Sequence, residues 1–162
     1  MNRTEFREVI NAPKDRVWEV LFHQYGDIHI HNPTMVTSSY QHGASRGALN
    51  VVRHCTFSEK LFLDEKITQV TGSDSFRIDV VGHNLPFVKR MAAKYSVTAT
   101  GPETTELTMV SFNSFSPGFM KYLMRGQMAK NLHKHLFGLK IYAETGEIVS
   151  KDTYAEFRKK YA

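Results

Sequence analysis

The chain has 162 residues, 41% of them hydrophobic, and 21 Lys plus Arg against 16 Asp plus Glu give it a net charge of +5. That length bounds one domain with a sizeable core, and the apolar content excludes intrinsic disorder. The basic residues are scattered except for Arg158, Lys159 and Lys160, so the balance reads as a solvated surface rather than a nucleic-acid footprint. A single cysteine, Cys55, excludes a disulfide framework and fits a reducing compartment. Residues 1–12 are polar and lack the apolar centre of a signal peptide. No apolar run reaches the roughly 18–20 residues that cross a bilayer. These features predict a soluble cytoplasmic protein.

Residues 3–11 alternate weakly and predict a strand. Asn11-Ala12-Pro13 then opens a helix: a capping residue type is followed by a proline suited to a first turn. Asp15 suits the positive end of that helix, and Val17, Trp18, Val20 and Leu21 form its apolar stripe to about residue 24. A second short helix or turn covers 26–32 and closes at Asn32-Pro33.

From 34 to 115 the pattern is one of strands separated by turn signals: 34–42, 48–57, 60–71, 74–82, 91–100 and 104–115. In the second of these, Leu49, Val51, Arg53, Cys55 and Phe57 share a face; in the third, Leu61, Leu63, Glu65 and Ile67 do. A turn centred on Glu59 sets Phe57 opposite Leu61, Cys55 opposite Leu63 and Arg53 opposite Glu65. A lone charge on an apolar face is expensive, whereas a paired one is tolerable. The pair therefore suggests a cavity holding water or a polar ligand group. A tight turn at 72–73 continues the face, with Gln69 opposite Phe76, Ile67 opposite Ile78 and Glu65 opposite Val80. In the last hairpin, Ala93, Tyr95, Val97 and Ala99 share their face with Leu107, Met109, Ser111 and Asn113.

Pro117-Gly118 ends the sheet and starts a long helix at about 117–143. Phe119, Met120, Leu123, Met124, Met128, Leu132, Leu136 and Leu139 make one wide apolar stripe on it. We divide the chain into a main domain, 1–146, and a C-terminal extension, 147–162. The extension reads as a short helix with Asp152 as its cap and Tyr154, Phe157 and Tyr161 on one face. The fold class is α+β: an antiparallel sheet of about seven strands curls around the long helix, with two short N-terminal helices at one end.

The chain resembles the START-like (SRPBCC) superfamily of helix-grip proteins, which includes polyketide cyclase/dehydrase and lipid-transport proteins. The resemblance covers about residues 3–143. It rests on Ile10-Asn11-Ala12-Pro13, Arg16-Val17-Trp18-Glu19-Val20-Leu21, Gly26-Asp27, Asn32-Pro33, Gly47 with Arg53 six residues on, Glu65-Lys66-Ile67, Leu85-Pro86, and Leu136-Phe137-Gly138-Leu139-Lys140. It implies an internal hydrophobic cavity between sheet and C-terminal helix, with positions 53 and 65 able to project polar groups into it. It also implies that Leu85-Pro86 belongs to a loop at the cavity entrance. The gate and latch loops of the abscisic-acid receptors have no clear match here, so hormone sensing is not carried over.

The leading expectation is a binding protein for a small hydrophobic or amphipathic molecule. Val51, Arg53, Leu63, Glu65, Ile67, Ile78, Tyr95, Met109, Leu123, Met124 and Met128 are its candidate ligand-binding residues. Arg53 would meet an acidic ligand through a bidentate contact. The alternatives are a cyclase/dehydrase-like enzyme in which Glu65, Arg53 or a tyrosine moves protons, and an interaction module working through the basic tail. Pairing with Arg argues for anchoring over base catalysis, because an opposite charge favours the ionised form. The Arg–Glu pair could also be purely structural, and the methionines could be core or cavity lining.

His29 and His31, or His133 and His135, invite a metal, but residues two apart on a helix diverge and zinc needs three or four convergent ligands. His31 and His135 are instead candidate polar groups of the cavity. Cys55 has no activating base nearby and reads as an inert thiol. No nucleophile elbow, phosphate loop or dinucleotide fingerprint is present, so no metal or cofactor is expected. A homodimer is left open as a partner state.

Overall fold

The computed structural model describes residues 1–161. Its strands are β1 (Asn2–Ile10), β2 (Thr37–Tyr40), β3 (Val52–Thr56), β4 (Phe62–Thr71), β5 (Ser75–His83), β6 (Val88–Gly101) and β7 (Thr104–Phe115). They form one seven-stranded sheet in the order β1-β7-β6-β5-β4-β3-β2, every neighbouring pair antiparallel. The helices are α1 (Lys14–Trp18), α2 (Met120–Thr145) and α3 (Tyr154–Lys160). Alpha-helix α1 widens into a π-helical turn at Glu19–His23 and is followed by a 3₁₀ segment, Tyr25–Ile30, kinked at Asp27. Among the described residues no helix is long and apolar enough to cross a membrane.

The arithmetic of the first hairpin holds, with Arg53 opposite Glu65 and Cys55 opposite Leu63. The second hairpin holds at its centre, where Ile67 meets Ile78 and Glu65 meets Val80. Towards the turn it slips: Gln69 meets Arg77 rather than Phe76, and Thr71 meets Ser75. The pairing skips Thr68 on β4 at one irregularity and Val81 on β5 at another. Each extra residue bends its strand and deepens the local twist, which is how this sheet curls. The last hairpin pairs Tyr95 with Met109 and Val97 with Leu107, as alternation predicts. On the other face of this hairpin, the Arg77 guanidinium sits 5.3 Å from the Phe112 ring centroid.

Two strands are shorter than alternation suggests: β2 keeps Thr37–Tyr40 and β3 begins at Val52. Neither expected cap is used. Asn11 gives its backbone N–H to Glu144 Oε1 at 2.7 Å, and the position before α3 is Thr153, not Asp152.

Helix α2 is about 39 Å long at the usual rise, and its two halves live in different surroundings. In the C-terminal half, Leu136, Leu139 and Ala143 enter the main core with Trp18, Phe22 and Ile67. The opposite side, Phe137 and Ile141, packs on Val149 and on Tyr154, Phe157 and Tyr161 of the α3 region. Lys140 Nζ donates to the Val9 carbonyl at 2.6 Å, tying this half to β1. At Gly138 the helix backbone comes so close to the 3₁₀ segment that a Cβ would overlap the His31 carbonyl oxygen. The N-terminal half has no such anchor. Its expected apolar stripe is only half satisfied, because Phe119 and Leu123 are exposed rather than buried.

Replacing Gly138 with Ala should cost about 2–3 kcal/mol, since a packed backbone must move to admit one methyl. Urea unfolding of G138A against the parent checks this.

Candidate functional site

Between the raised half of α2 and the concave face of the sheet lies a cavity of about 410 Å³. The curl of the sheet holds one wall away, and small side chains at Ala92 and Ala93 on β6 leave space that a larger residue would fill. Leu63, Ile78 and Met109 from the sheet and Leu123, Met124 and Met128 from α2 line it. Leu85 and Pro86 line it from the β5–β6 loop, as the resemblance implied. Of the predicted ligand-binding residues, Val51 and Ile67 do not reach the cavity. Ile67 is fully buried in the main core, and Val51 packs against that core at the strand start. Strand alternation puts both on the correct face, but the N-terminal helices cover that end of it.

The polar wall is built from residues far apart in sequence. Arg53 and Glu65 are both buried. Arg53 Nε donates to Glu65 Oε2 at 2.8 Å, and its Nη1 donates to the Tyr25 backbone carbonyl at 2.8 Å. The guanidinium carbon lies 3.7 Å from the Tyr25 ring centroid, a stacked cation–π contact. Burial opposes the Arg53 charge most strongly of any single influence, but the Glu65 carboxylate, with Tyr25, Cys55 and Tyr95 adding to it, holds the guanidinium above its usual range. Two of its five N–H groups are committed, to Glu65 and to the Tyr25 carbonyl, so part of the fork that the sequence reading assigned to an acid is already in use. Arg53 Nη2 and Glu65 Oε1 make no hydrogen bond among the described residues, and both residues line the cavity. The wall thus offers unclaimed guanidinium N–H groups beside an unclaimed carboxylate oxygen.

One histidine, His135, completes it, and His31 lies behind it, outside the lining of this cavity. His135 on α2 lines the cavity, with its Nε2 3.3 Å from the Tyr95 hydroxyl. His31, at the end of the 3₁₀ segment, stacks on Tyr142 and faces His135, with ring centroids 5.5 Å and 6.2 Å away. Nδ1 of each ring is buried without a hydrogen-bond partner. Burial pushes both imidazoles down, His135 to about 3, so both are neutral. Burial likewise pushes the Tyr95 hydroxyl and the Cys55 thiol up, and both keep their protons. Cys55 Sγ lies 3.5 Å from Glu65 Oε2 as a weak donor, not a nucleophile. Tyr40 faces away from the cavity, its hydroxyl donating to the His23 carbonyl at 3.1 Å. His133 packs edge-on to Phe6, and His29 bonds Ser38. Among the described residues no group of three His, Cys, Asp or Glu could hold a metal ion.

Sequence reasoning missed Tyr25 altogether. Its only signal was position: an aromatic in the short segment that the fold packs against the Arg53 strand. Asn32, Thr34 and Met35 also line the cavity, and nothing in their local pattern marks them.

Residues 1–144 match the sequence pattern of the family described as polyketide cyclase/dehydrase and lipid transport. The chain belongs to this family. A comparison with curated proteins finds no match. Several solved structures share the fold. A protein of Nitrosospira multiformis superposes with a TM-score of 0.71 at 10% identity, covering 90% of this chain and 98% of that one. A point mutant of norcoclaurine synthase from Thalictrum flavum, in complex with a transition-state analogue, gives 0.68 at 12% identity, covering 88% and 93%. The protein XoxI from Bacillus cereus gives 0.65 at 16% identity, covering 86% and 94%. At these identities the likeness concerns the helix-grip fold, which the order of sheet and helix here reproduces.

Two outcomes test the polar wall of this family member. Arg53→Met should destabilise by about 3–5 kcal/mol by leaving Glu65 buried and unpaired, and adding Glu65→Leu should recover most of that; a urea-unfolding double-mutant cycle reads it. The histidines set a pH dependence. Their folded pKa values lie below the unfolded 6.5, so the unfolded chain binds more protons between the two. Their contribution is complete above pH 6.5 and is lost as pH falls towards 3, by up to about 1.4 kcal/mol per pH unit for each ring. Thermal melts from pH 7.5 to 5 should show that loss, and His135→Gln should shrink it.

Proposed function

We propose that this protein binds a small, mostly apolar molecule in the cavity under α2, with a hydroxyl or similar neutral polar group at the Arg53–Glu65 wall. The observation that carries the reading is the cavity of about 410 Å³, apolar over most of its lining and polar at one wall. Ligand sites are of this kind: concave, largely apolar, with few placed polar groups. A free carboxylate fits the wall less well than a hydroxyl. It would approach Glu65 as well as Arg53, whereas a hydroxyl can accept from Nη2 and donate to Oε1. The methionines suit a site that adapts to its ligand. Family membership supports the same reading.

One arrangement favours an enzymatic second reading. Glu65 presents an unclaimed carboxylate oxygen to the cavity beside the protonated Tyr95 and neutral His135, and such groups can pass a proton to or from a bound molecule. Norcoclaurine synthase shows that a helix-grip protein can be an enzyme.

Native mass spectrometry of the purified protein, with organic extraction, should reveal a co-purifying apolar molecule. Met124→Trp fills the cavity and should weaken binding of that molecule roughly tenfold or more, the scale of one apolar group's contacts. Turnover of the extracted molecule that disappears in Glu65→Gln while binding persists would select the enzymatic reading. An unchanged affinity in Met124→Trp would overturn both.

A further inference from the structure

Large apolar side chains are gathered in water at the rim of the cavity. Leu123 lines the cavity yet is 69% exposed, which places it where the cavity meets the surface. Beside it, Phe119 just before α2 and Tyr122 in its first turn are 61% and 68% exposed. The β5–β6 loop adds Phe87, half exposed and held at φ 65, a left-handed backbone that bulky side chains rarely adopt. The Phe87 carbonyl accepts the Ser116 N–H at 2.9 Å, so loop and helix entry form one surface. Exposed aromatic and aliphatic groups gathered this way mark an interaction site.

The charge around them has one sign. No acidic residue occurs between Asp79 and Glu103, or between Glu106 and Glu144. Lys89 and Arg90 follow the loop, and Lys121 and Arg125 stand on the first turns of α2, all but Lys121 strongly exposed. The start of α2 has no acidic residue and no side-chain cap, so cations sit at the positive end of a long helix, where they are disfavoured. Lys121, Tyr122 and Arg125 line a second hollow of about 280 Å³ on the β1 side of the helix, next to Arg3. Arg3 is paired with Glu5. Across the main opening, the β3–β4 turn carries Glu59 beside Lys60 and adds no net charge.

We infer that this rim docks on an anionic lipid bilayer, inserting Phe119, Tyr122, Leu123 and Phe87 while Lys89, Arg90, Lys121 and Arg125 meet the headgroups. Aromatic and aliphatic groups buried at the acyl boundary, with basic residues around them, are what an interfacial surface requires. Anionic headgroups would also supply the missing negative charge at the start of α2. Because the docked face contains the cavity opening, it would let an apolar ligand pass between bilayer and cavity without crossing water. The proposal goes beyond ligand binding and stands or falls separately from it, because docking needs no cavity ligand.

The test is co-sedimentation of the full chain with phosphatidylcholine vesicles, with and without about 30% phosphatidylglycerol, at about 0.1 M salt. Binding is expected to the anionic vesicles only. Lys121→Glu with Arg125→Glu should weaken it at least about tenfold, as should Phe119→Ser with Tyr122→Ser. Neither residue of the second pair lines the main cavity. Lys151→Glu with Lys159→Glu makes the same charge change at two exposed residues beyond the far end of α2 and should leave binding intact. Circular dichroism confirms that each variant is folded. The proposal is overturned by no binding to anionic vesicles, by equal binding to neutral ones, or by binding that the rim variants retain. Equal loss in the distal pair would reduce the effect to net charge and also overturn it. So would a concentration-dependent dimer, abolished by the Phe119 and Tyr122 changes in a protein that ignores vesicles, since the surface would then belong to a second copy.

Discussion

The close approach of α2 to the N-terminal segment at Gly138 is the contact on which the rest depends. A helix can press against a carbonyl oxygen only where a side chain is missing, and Gly138 meets His31 there. From that point the C-terminal half is held on two sides, by the main core and by the α3 region. A helix is stiff, so fixing one half sets the line of the other. The sheet curls away at the β4–β5 irregularities, and the first half of α2 is left standing over an open space. The cavity is therefore a by-product of where the helix is anchored, and close packing is given up along its first half.

The same contact assembles the polar wall. Seating α2 against the 3₁₀ segment brings His135 towards His31 and puts Tyr95 within reach of His135. That segment also delivers the Tyr25 carbonyl and ring to Arg53. Removing a charged pair from water is costly, and the cost is met only when the remaining donors and acceptors find partners. Arg53 finds a carboxylate, a carbonyl and an aromatic face, and still has one nitrogen to spare at the cavity. The histidines remain neutral because nothing nearby compensates a proton in that place. The wall offers directional hydrogen bonds with little net charge, which favours neutral polar groups over ions.

At the other end of the cavity, helix capping, dipole complementarity and apolar burial are all relaxed together. Phe119 begins α2 without a side-chain cap, Lys121 lies in its first turn, and Tyr122 and Leu123 face water. Local rules relaxed together at one place are where function is to be sought.

The sequence by itself determined the class of the fold and its main register. Period-two alternation survives because each strand buries one face, so Arg53 opposite Glu65 and Tyr95 beside the Met109 strand were legible from spacing alone. The long apolar stripe of α2 was legible for the same kind of reason. What alternation cannot carry is where a strand takes an extra residue, and so the slip at Gln69 and the curl it produces came only with the folded sheet. Nor can a stripe say which of its residues meets a core and which a cavity or solvent: Leu136 and Leu123 share a pattern and have opposite surroundings. Val51 and Ile67 share a face with Arg53 and Leu63, yet the N-terminal helices cover that end. His135 came to line the cavity beside Arg53, with Tyr25 and His31 packed behind them, only through contacts made across the whole chain. Local periodicity is a property of neighbours in sequence, whereas the depth of a cavity depends on how far apart two packed elements are held.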